Sequence, residues 1–359
     1  MSGLVANAPD TPFLAVDLEV MNRNLERTAT SAIERGLALR PHAKTHKVLE
    51  IGRRQLELGA VGLTVATVAE AEVFAAAGFD NLFIAYPVWA TPSRAARLRA
   101  VAERATVTLG VDSVEGIAEC AAGLAGSGVR VMIEVDSGHH RSGAQPTEAG
   151  ALAAAAVRSG LQVAGVFTFP GHGYALGGRA QVAGEEADAI TRATASIEHL
   201  GIDVAVRSGG STPTMADADS SVLTELRPGV YVFNDAQQVE LGSCTWADVA
   251  LSARATVVSR SGQNAIVDAG SKVLGADQPR WVTGGGRLPD YPDARIVAMS
   301  EHHATVRFLD NTPPPPRGTV VRVVPNHVCS AVNLADELFV VRNETVIDSW
   351  VVAARGANN

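Results

Sequence analysis

From about residue 13 to 235, short apolar or β-branched runs alternate with longer Ala-rich stretches whose apolar residues recur at helical spacing. Eight runs read as strands: Leu37–Arg40, Val61–Ala66, Leu82–Tyr86, Val107–Val111, Arg130–Val135, Val163–Phe167, Val204–Arg207 and Gly229–Phe233. Between them, Glu19–Arg35, Val68–Ala77, Ser93–Glu103, Val114–Leu124, Glu148–Ser159 and Gly184–Leu200 read as helices, several closed by a glycine such as Gly36, Gly78 or Gly160. This alternation predicts an α/β protein built on a (β/α)8 TIM barrel. A doubly wound sheet would carry a Gly-rich fingerprint after its first strand, and none is present. After about residue 245 the period shortens. Ala253–Arg260, Asn264–Asp268, Arg295–Met299, Ala304–Phe308, Thr319–Val324, Glu337–Arg342 and Glu344–Val352 are Val-rich and often alternating, and the tetraproline Pro313–Pro316 can be neither helix nor central strand. The expected organisation is a barrel over residues 12–240, then a mostly β C-terminal domain over 245–359, with residues 1–11 packing on the latter.

Composition narrows the function. The 359 residues carry 30 Lys+Arg against 38 Asp+Glu, a net charge of −8, with no long basic block, which argues against a nucleic-acid partner. No apolar run reaches the length of a membrane span. The N-terminal stretch lacks the basic and apolar regions of a signal peptide. The three cysteines, Cys120, Cys244 and Cys329, are too scattered for a disulfide framework. The expectation is a cytoplasmic protein with reduced thiols.

In a barrel, chemistry sits where strands end. The first strand runs into Pro41-His42-Ala43-Lys44-Thr45-His46-Lys47. A lysine just past a strand can form a Schiff base if desolvation lowers its pKa; the same residues also fit a solvated basic loop. Arg207–Thr214, RSGGSTPT, follows the seventh strand, reads as the start of a helix, and offers backbone N–H groups of Gly209, Gly210, Ser211 and Thr212 to a phosphate. His327 and Cys329 stand two apart; on an extended segment both would face one side, as a Zn²⁺ site requires, although a structural histidine beside a buried cysteine has the same spacing.

TPFLAVDLEVMNRN, RPHAKTHK and PNHVC together resemble the D-threonine aldolase and D-serine dehydratase family, from about Thr11 to Arg355. These are fold-type III pyridoxal-phosphate (PLP) enzymes with an alanine-racemase-like barrel followed by a β-domain. The resemblance implies that Lys44 carries PLP and that Lys47 is a surface residue. It places Arg141, in EVDSGHHRSG, near the cofactor's phenolic oxygen, Tyr174 along the cofactor, and Arg227, in ELRPG, at the pyridine nitrogen; His172, two residues from Tyr174, is the candidate acid–base. Tyr231 and Asp235 read as supporting residues, with His302 or His303 loosely near the metal. The H-x-C pair, by resemblance, holds a divalent metal, Zn or Mn/Mg, with the cysteine favouring zinc as in D-serine dehydratases. Ser271 stands where alanine racemase carries its tyrosine base, which disfavours racemisation.

The implied function is a PLP- and metal-dependent lyase acting on small D-β-hydroxy-α-amino acids. D-threonine aldolase chemistry, giving glycine and an aldehyde, leads. D-serine or 3-hydroxy-D-aspartate dehydratase is the alternative, and a non-catalytic PLP carrier a second, disfavoured because such carriers lack the β-domain. A homodimer is expected, with His139, His140 and the tetraproline near the partner subunit.

Overall fold

In chain order the elements of the computed structural model, which describes residues 6–359, are β1 (Phe13–Asp17), α1 (Leu18–Glu34), β2 (Ala38–Leu39), α2 (Leu49–Glu57), β3 (Leu63–Val65), α3 (Val68–Ala76), β4 (Asn81–Pro87), α4 (Pro92–Ala102), β5 (Thr106–Val111), α5 (Val114–Leu124), β6 (Arg130–Glu134), α6 (Ala149–Arg158), β7 (Gln162–Phe167), α7 (Arg179–Glu198), β8 (Val206–Gly209) and β9 (Glu225–Leu226). Then come α8 (Ala236–Glu240), β10 (Leu251–Ser261), β11 (Asn264–Val267), α9 (Ser271–Leu274), β12 (Arg295–Met299), β13 (Ala304–Arg307), β14 (Val320–Val323), α10 (Val328–Leu334), β15 (Glu337–Arg342) and β16 (Thr345–Val351). The chain divides into two compact units, one of residues 28–44, 51–229 and 357–359, the other of residues 6–27, 45–50 and 230–356 among those described.

The first unit is an all-parallel sheet ordered β2-β9-β8-β7-β6-β5-β4-β3. Its edges meet: His42 bridges Thr64, Val61 N–H donates to the Leu39 carbonyl at 2.9 Å, and Thr64 N–H donates to that of Pro41 at 2.8 Å. The eight strands therefore curl into the expected barrel. Helices start where short polar side chains precede them: Thr67, Thr91 and Ser113 each accept an N–H three residues on. Inside, Phe83, Met132 and Phe167 form one apolar layer, Phe83 and Phe167 meeting edge to face at 4.9 Å between centroids.

The eighth barrel strand differs from expectation. It is Glu225–Leu226, and Val230–Val232 is a 3₁₀ turn. The reason is Pro228: it has no N–H for the ladder and the chain turns at Pro228-Gly229. The expected helix after RSGG is also absent; residues 212–217 form turns.

The second unit is a mostly β sheet ordered β12-β13-β11-β10-β1-β15-β16, with β14 pairing β10. β1 lies inside it, antiparallel to β10 and parallel to β15. Ala6 pairs with Thr345 in the same unit; the expectation for residues 1–5 lies outside the described residues.

Candidate active site

The segments that follow the barrel strands converge on a cavity of about 500 Å³. His42 and Lys44 come from after β2, Ala66 from after β3, Ala85–Pro87 from the end of β4, Asp112 from after β5, Arg141 and Ser142 from after β6, Phe169 from after β7 and Arg227 from after β9. Lys44 sits in a 3₁₀ turn (Ala43–Thr45), with its Nζ 5.7 Å from the centroid of the Phe169 ring. The Arg141 guanidinium lies 5.1 Å from the same centroid. The Phe169 ring thus contacts two cations that follow two different strands.

Arg227 is buried and fixed on every side. Its Nε donates to Ser208 Oγ at 2.8 Å, one Nη donates to the Thr168 carbonyl, and Phe83 and Phe167 flank it at 5.5 and 5.2 Å. Ser208 Oγ in turn donates to Glu225 Oε1 at 2.6 Å, and Glu225 Oε2 accepts from Arg40 Nε at 2.7 Å. Burial lowers the Arg227 pKa, with Glu225, Glu186 and Glu134 opposing that shift. Asp112 accepts the Gly143 N–H at 3.1 Å. Lys44, Arg141 and Arg227 against the single carboxylate of Asp112 give the lining an excess of positive charge.

Two buried carboxyls belong to the same barrel end. Glu134 takes a hydrogen bond from Ser142 Oγ at 2.9 Å on Oε1, while its Oε2 has no partner; burial pushes its pKa up to about 7. Glu186, on α7, accepts the Gly210 N–H at 2.8 Å, and its Oε2 is likewise unpartnered; burial raises it also to about 7. The pattern along the chain gave Glu186 no signal beyond a helical position, since what buries it is the turn after β8. A Cβ on Gly209 would run into the Glu186 carboxyl, so any larger residue there would force Glu186 to shift.

The other sequence-derived residues fall around the cavity rather than on it. Tyr174 packs at 6.4 Å from Phe169. His172 is absent from the lining; its Nε2 is 2.8 Å from Glu185 Oε2 and its Nδ1 is buried without a partner. Gly209–Thr212 is buried, with the Ser211 N–H bonded to Thr214 Oγ1 at 3.0 Å and the Gly210 N–H taken by Glu186. Lys47 is not a surface residue: it is 4% exposed, holds a left-handed φ of 51°, and donates to Asn333 Oδ1 at 2.7 Å. Asp112, Ser142 and Phe169 were missed; their only sequence signal is their place just after a strand.

In the second unit the H-x-C pair is held differently from the extended segment expected. His327 is the N-cap of α10, and Cys329 lies in its first turn. The two side chains still interact with each other. Asp235 organises them: Oδ1 accepts the Gln238 N–H at 2.9 Å, Oδ2 accepts the Val328 N–H at 3.1 Å, and Oδ2 lies 3.3 Å from His327 Nδ1. The Cys329 thiol donates to Thr45 Oγ1 at 3.2 Å. Among the described residues no group of three or more His, Cys, Asp or Glu side chains is placed to hold a metal ion, so the pair stands as two donors.

A closed parallel barrel, a lysine and two arginines at the C-terminal ends of its strands, and an appended β unit define the alanine-racemase-like class of enzyme. Comparison with known proteins agrees. Residues 16–237 match the alanine racemase N-terminal domain, and residues 250–341 the putative serine dehydratase domain. The chain is 33% identical over 361 residues to a D-threonine aldolase of Arthrobacter sp., covering 97% of this chain and 93% of that one. It is 33% identical over 348 residues to a D-threo-3-hydroxyaspartate dehydratase of Delftia sp., covering 89% and 91%. The crystal structure of D-threonine aldolase from Filomicrobium marinum superposes with a TM-score of 0.87 at 31% identity, covering 99% of each chain. The protein belongs to the D-threonine aldolase and D-serine dehydratase-like family of fold-type III PLP enzymes. Among the described residues no helix is long and apolar enough to cross a membrane.

Proposed function

We propose that the protein is a PLP- and divalent-metal-dependent lyase of D-β-hydroxy-α-amino acids, cleaving them in the D-threonine aldolase manner to glycine and an aldehyde. The observation that carries this reading is the cavity lined by Lys44, Arg141 and Arg227 at the C-terminal mouth of the barrel. Its donor set fits the cofactor: one primary amine for an aldehyde, and two guanidiniums for the phenolate and ring of an anionic pyridine. PLP, when bound, supplies an electron sink for the carbanion left at Cα.

The chain's own residues then divide the work. Lys44 holds the cofactor, and Phe169 fixes the approach of the amine. Arg141 orients the phenolate side. Arg227, locked by Ser208, Thr168 and two rings, meets the ring nitrogen as a cation and does not deliver a proton to it. The buried Gly209–Thr212 turn and the surrounding backbone would hold the phosphate; Gly210 and Ser211 contribute turn geometry rather than their N–H groups, which Glu186 and Thr214 occupy. His172, backed by Glu185, is the candidate to carry the hydroxyl proton at its imidazole.

His327 and Cys329 would hold the metal, which would supply Lewis-acid chemistry toward the β-hydroxyl. The carboxylate of Asp235 behind the imidazole is the arrangement that orients metal-bound histidines, and a thiolate with an imidazole favours zinc. A similar protein, a D-threo-3-hydroxyaspartate dehydratase mutant, has been solved in a metal-free form, which supports a metal in this family. The presence of Cys329 and of that relative also favour a second reading, D-serine or 3-hydroxy-D-aspartate dehydratase, in which Lys44 removes the Cα proton. Product analysis with D-threonine separates the two: glycine with acetaldehyde supports aldol cleavage, and a 2-keto acid with ammonia supports dehydration. A homodimer is proposed from the family's architecture, and sedimentation at working concentration tests it.

A further inference from the structure

The barrel has a second cavity, of about 490 Å³, at its other end. It shares no lining residue with the cavity that holds Lys44. Its walls come from strand beginnings: Arg130, Gln162, Val206 and Glu225 are the first residues of β6, β7, β8 and β9. Its roof is Phe83 and Met132 of the apolar layer. A barrel interior is normally filled by branched side chains; here Ala164 and Val206 leave space beneath that layer.

The charged groups of this mouth are unequally satisfied. Arg40 donates to Glu225 at 2.7 Å and to Asn81 Oδ1 at 2.9 Å, and Glu225 is completed by Ser208. Arg130 has only a 3.3 Å contact from one Nη to Thr108 Oγ1, its Nε has no acceptor, and it forms no ion pair among the described residues. Asp203, also in the lining, is exposed to solvent. Burial and the neighbouring Arg40 both work against the charge on Arg130. A guanidinium so placed gains from an anion. Glu225 and Asp203 disfavour a dianion such as phosphate, whereas Val163, Ile202 and Val206 offer an apolar wall.

We propose that the N-terminal mouth of the barrel is a binding site for a small organic monocarboxylate, its carboxylate on Arg130 and its apolar part against Val163, Ile202 and Val206. The site has no lining residue in common with the cofactor cavity, although Ser208 joins Glu225 of this mouth to Arg227 of that one.

The test is binding of 4-fluorobenzoate to the full chain, followed by ¹⁹F NMR. The wild type should show saturable binding. Arg130→Gln, which removes the cation, and Ala164→Leu, which fills the cavity, should each weaken it by roughly tenfold or more, with near-UV circular dichroism confirming that both are folded. Lys44→Ala should bind the probe as the wild type does. Absence of saturable binding to the wild type overturns the proposal. So does equal binding by both folded variants, or binding lost in Lys44→Ala, which would put the probe in the other cavity.

Discussion

The ammonium of Lys44 and the ring of Phe169 lie 5.7 Å apart, and Arg141 occupies the same ring at 5.1 Å. One aromatic ring thereby contacts two of the three cations that line the cavity. A cation over a partly desolvated ring gains about 0.5–2 kcal/mol. Phe169→Leu should therefore weaken PLP binding by about 3–30-fold while leaving the fold intact. Fluorescence titration of the apoprotein with PLP measures this, and an unchanged affinity would assign Phe169 to packing alone.

Lys47 is the contrast to Lys44. Buried, bonded to Asn333 and held at a left-handed φ, it is a structural residue. Lys47→Ala should cost about 1–3 kcal/mol of stability and leave the PLP absorbance in place. Chemical denaturation with the visible spectrum as a second probe checks both. A variant as stable as the wild type would contradict the role given to the Asn333 bond.

The metal pair makes a prediction in metal content. His327→Ala and Cys329→Ala should each lose bound divalent metal and lyase activity while PLP remains. Asp235→Asn keeps a residue able to cap α8 and should lower metal affinity by roughly 10–100-fold. Elemental analysis after dialysis reads the result directly. Full metal content in His327→Ala would show that the ion, if present, binds elsewhere.

Glu134 and Glu186 give the protein a pH dependence of known sign. Each has a pKa near 7 when folded against an ordinary 4.5. Between those values the folded chain holds more protons than the unfolded one, so stability falls as pH rises and the loss is complete above about 7. A carboxyl raised that far costs up to about 3 kcal/mol. Glu134→Gln should therefore raise the midpoint of thermal unfolding relative to wild type at about pH 8 more than at about pH 5. A difference independent of pH would show that Glu134 stays ionised in the fold.

The barrel was legible because alternation between periods of two and 3.6 survives in a single sequence, and because Gly36, Gly78 and Gly160 mark helix ends. That Lys44 and Arg141 line one cavity was legible because each lies just past an expected strand and in a familiar motif; Arg227 was legible from its motif alone, since the strand expected there began after it. The last strand was misplaced since Val230–Val232 has strand-like side chains but follows a proline that ends the ladder. The H-x-C spacing brings His327 and Cys329 together, but on a helix start rather than an extended segment: Asp235, distant in sequence, accepts the N–H of residue 328 there. Burial is what sequence shows least well. It turned Lys47 inward and made Glu186 a partner of Gly210, and both depend on segments far along the chain.

The central claim is that Lys44 holds the cofactor, and borohydride reduction followed by peptide mapping tests it most directly. The holoprotein should carry the pyridoxyl mass on the peptide containing Lys44, with fragmentation assigning it to that residue, and Lys44→Ala should show neither the label nor the visible absorbance of bound PLP. A pyridoxyl group on Lys47 or Lys272, or a labelled Lys44→Ala protein, would contradict the account.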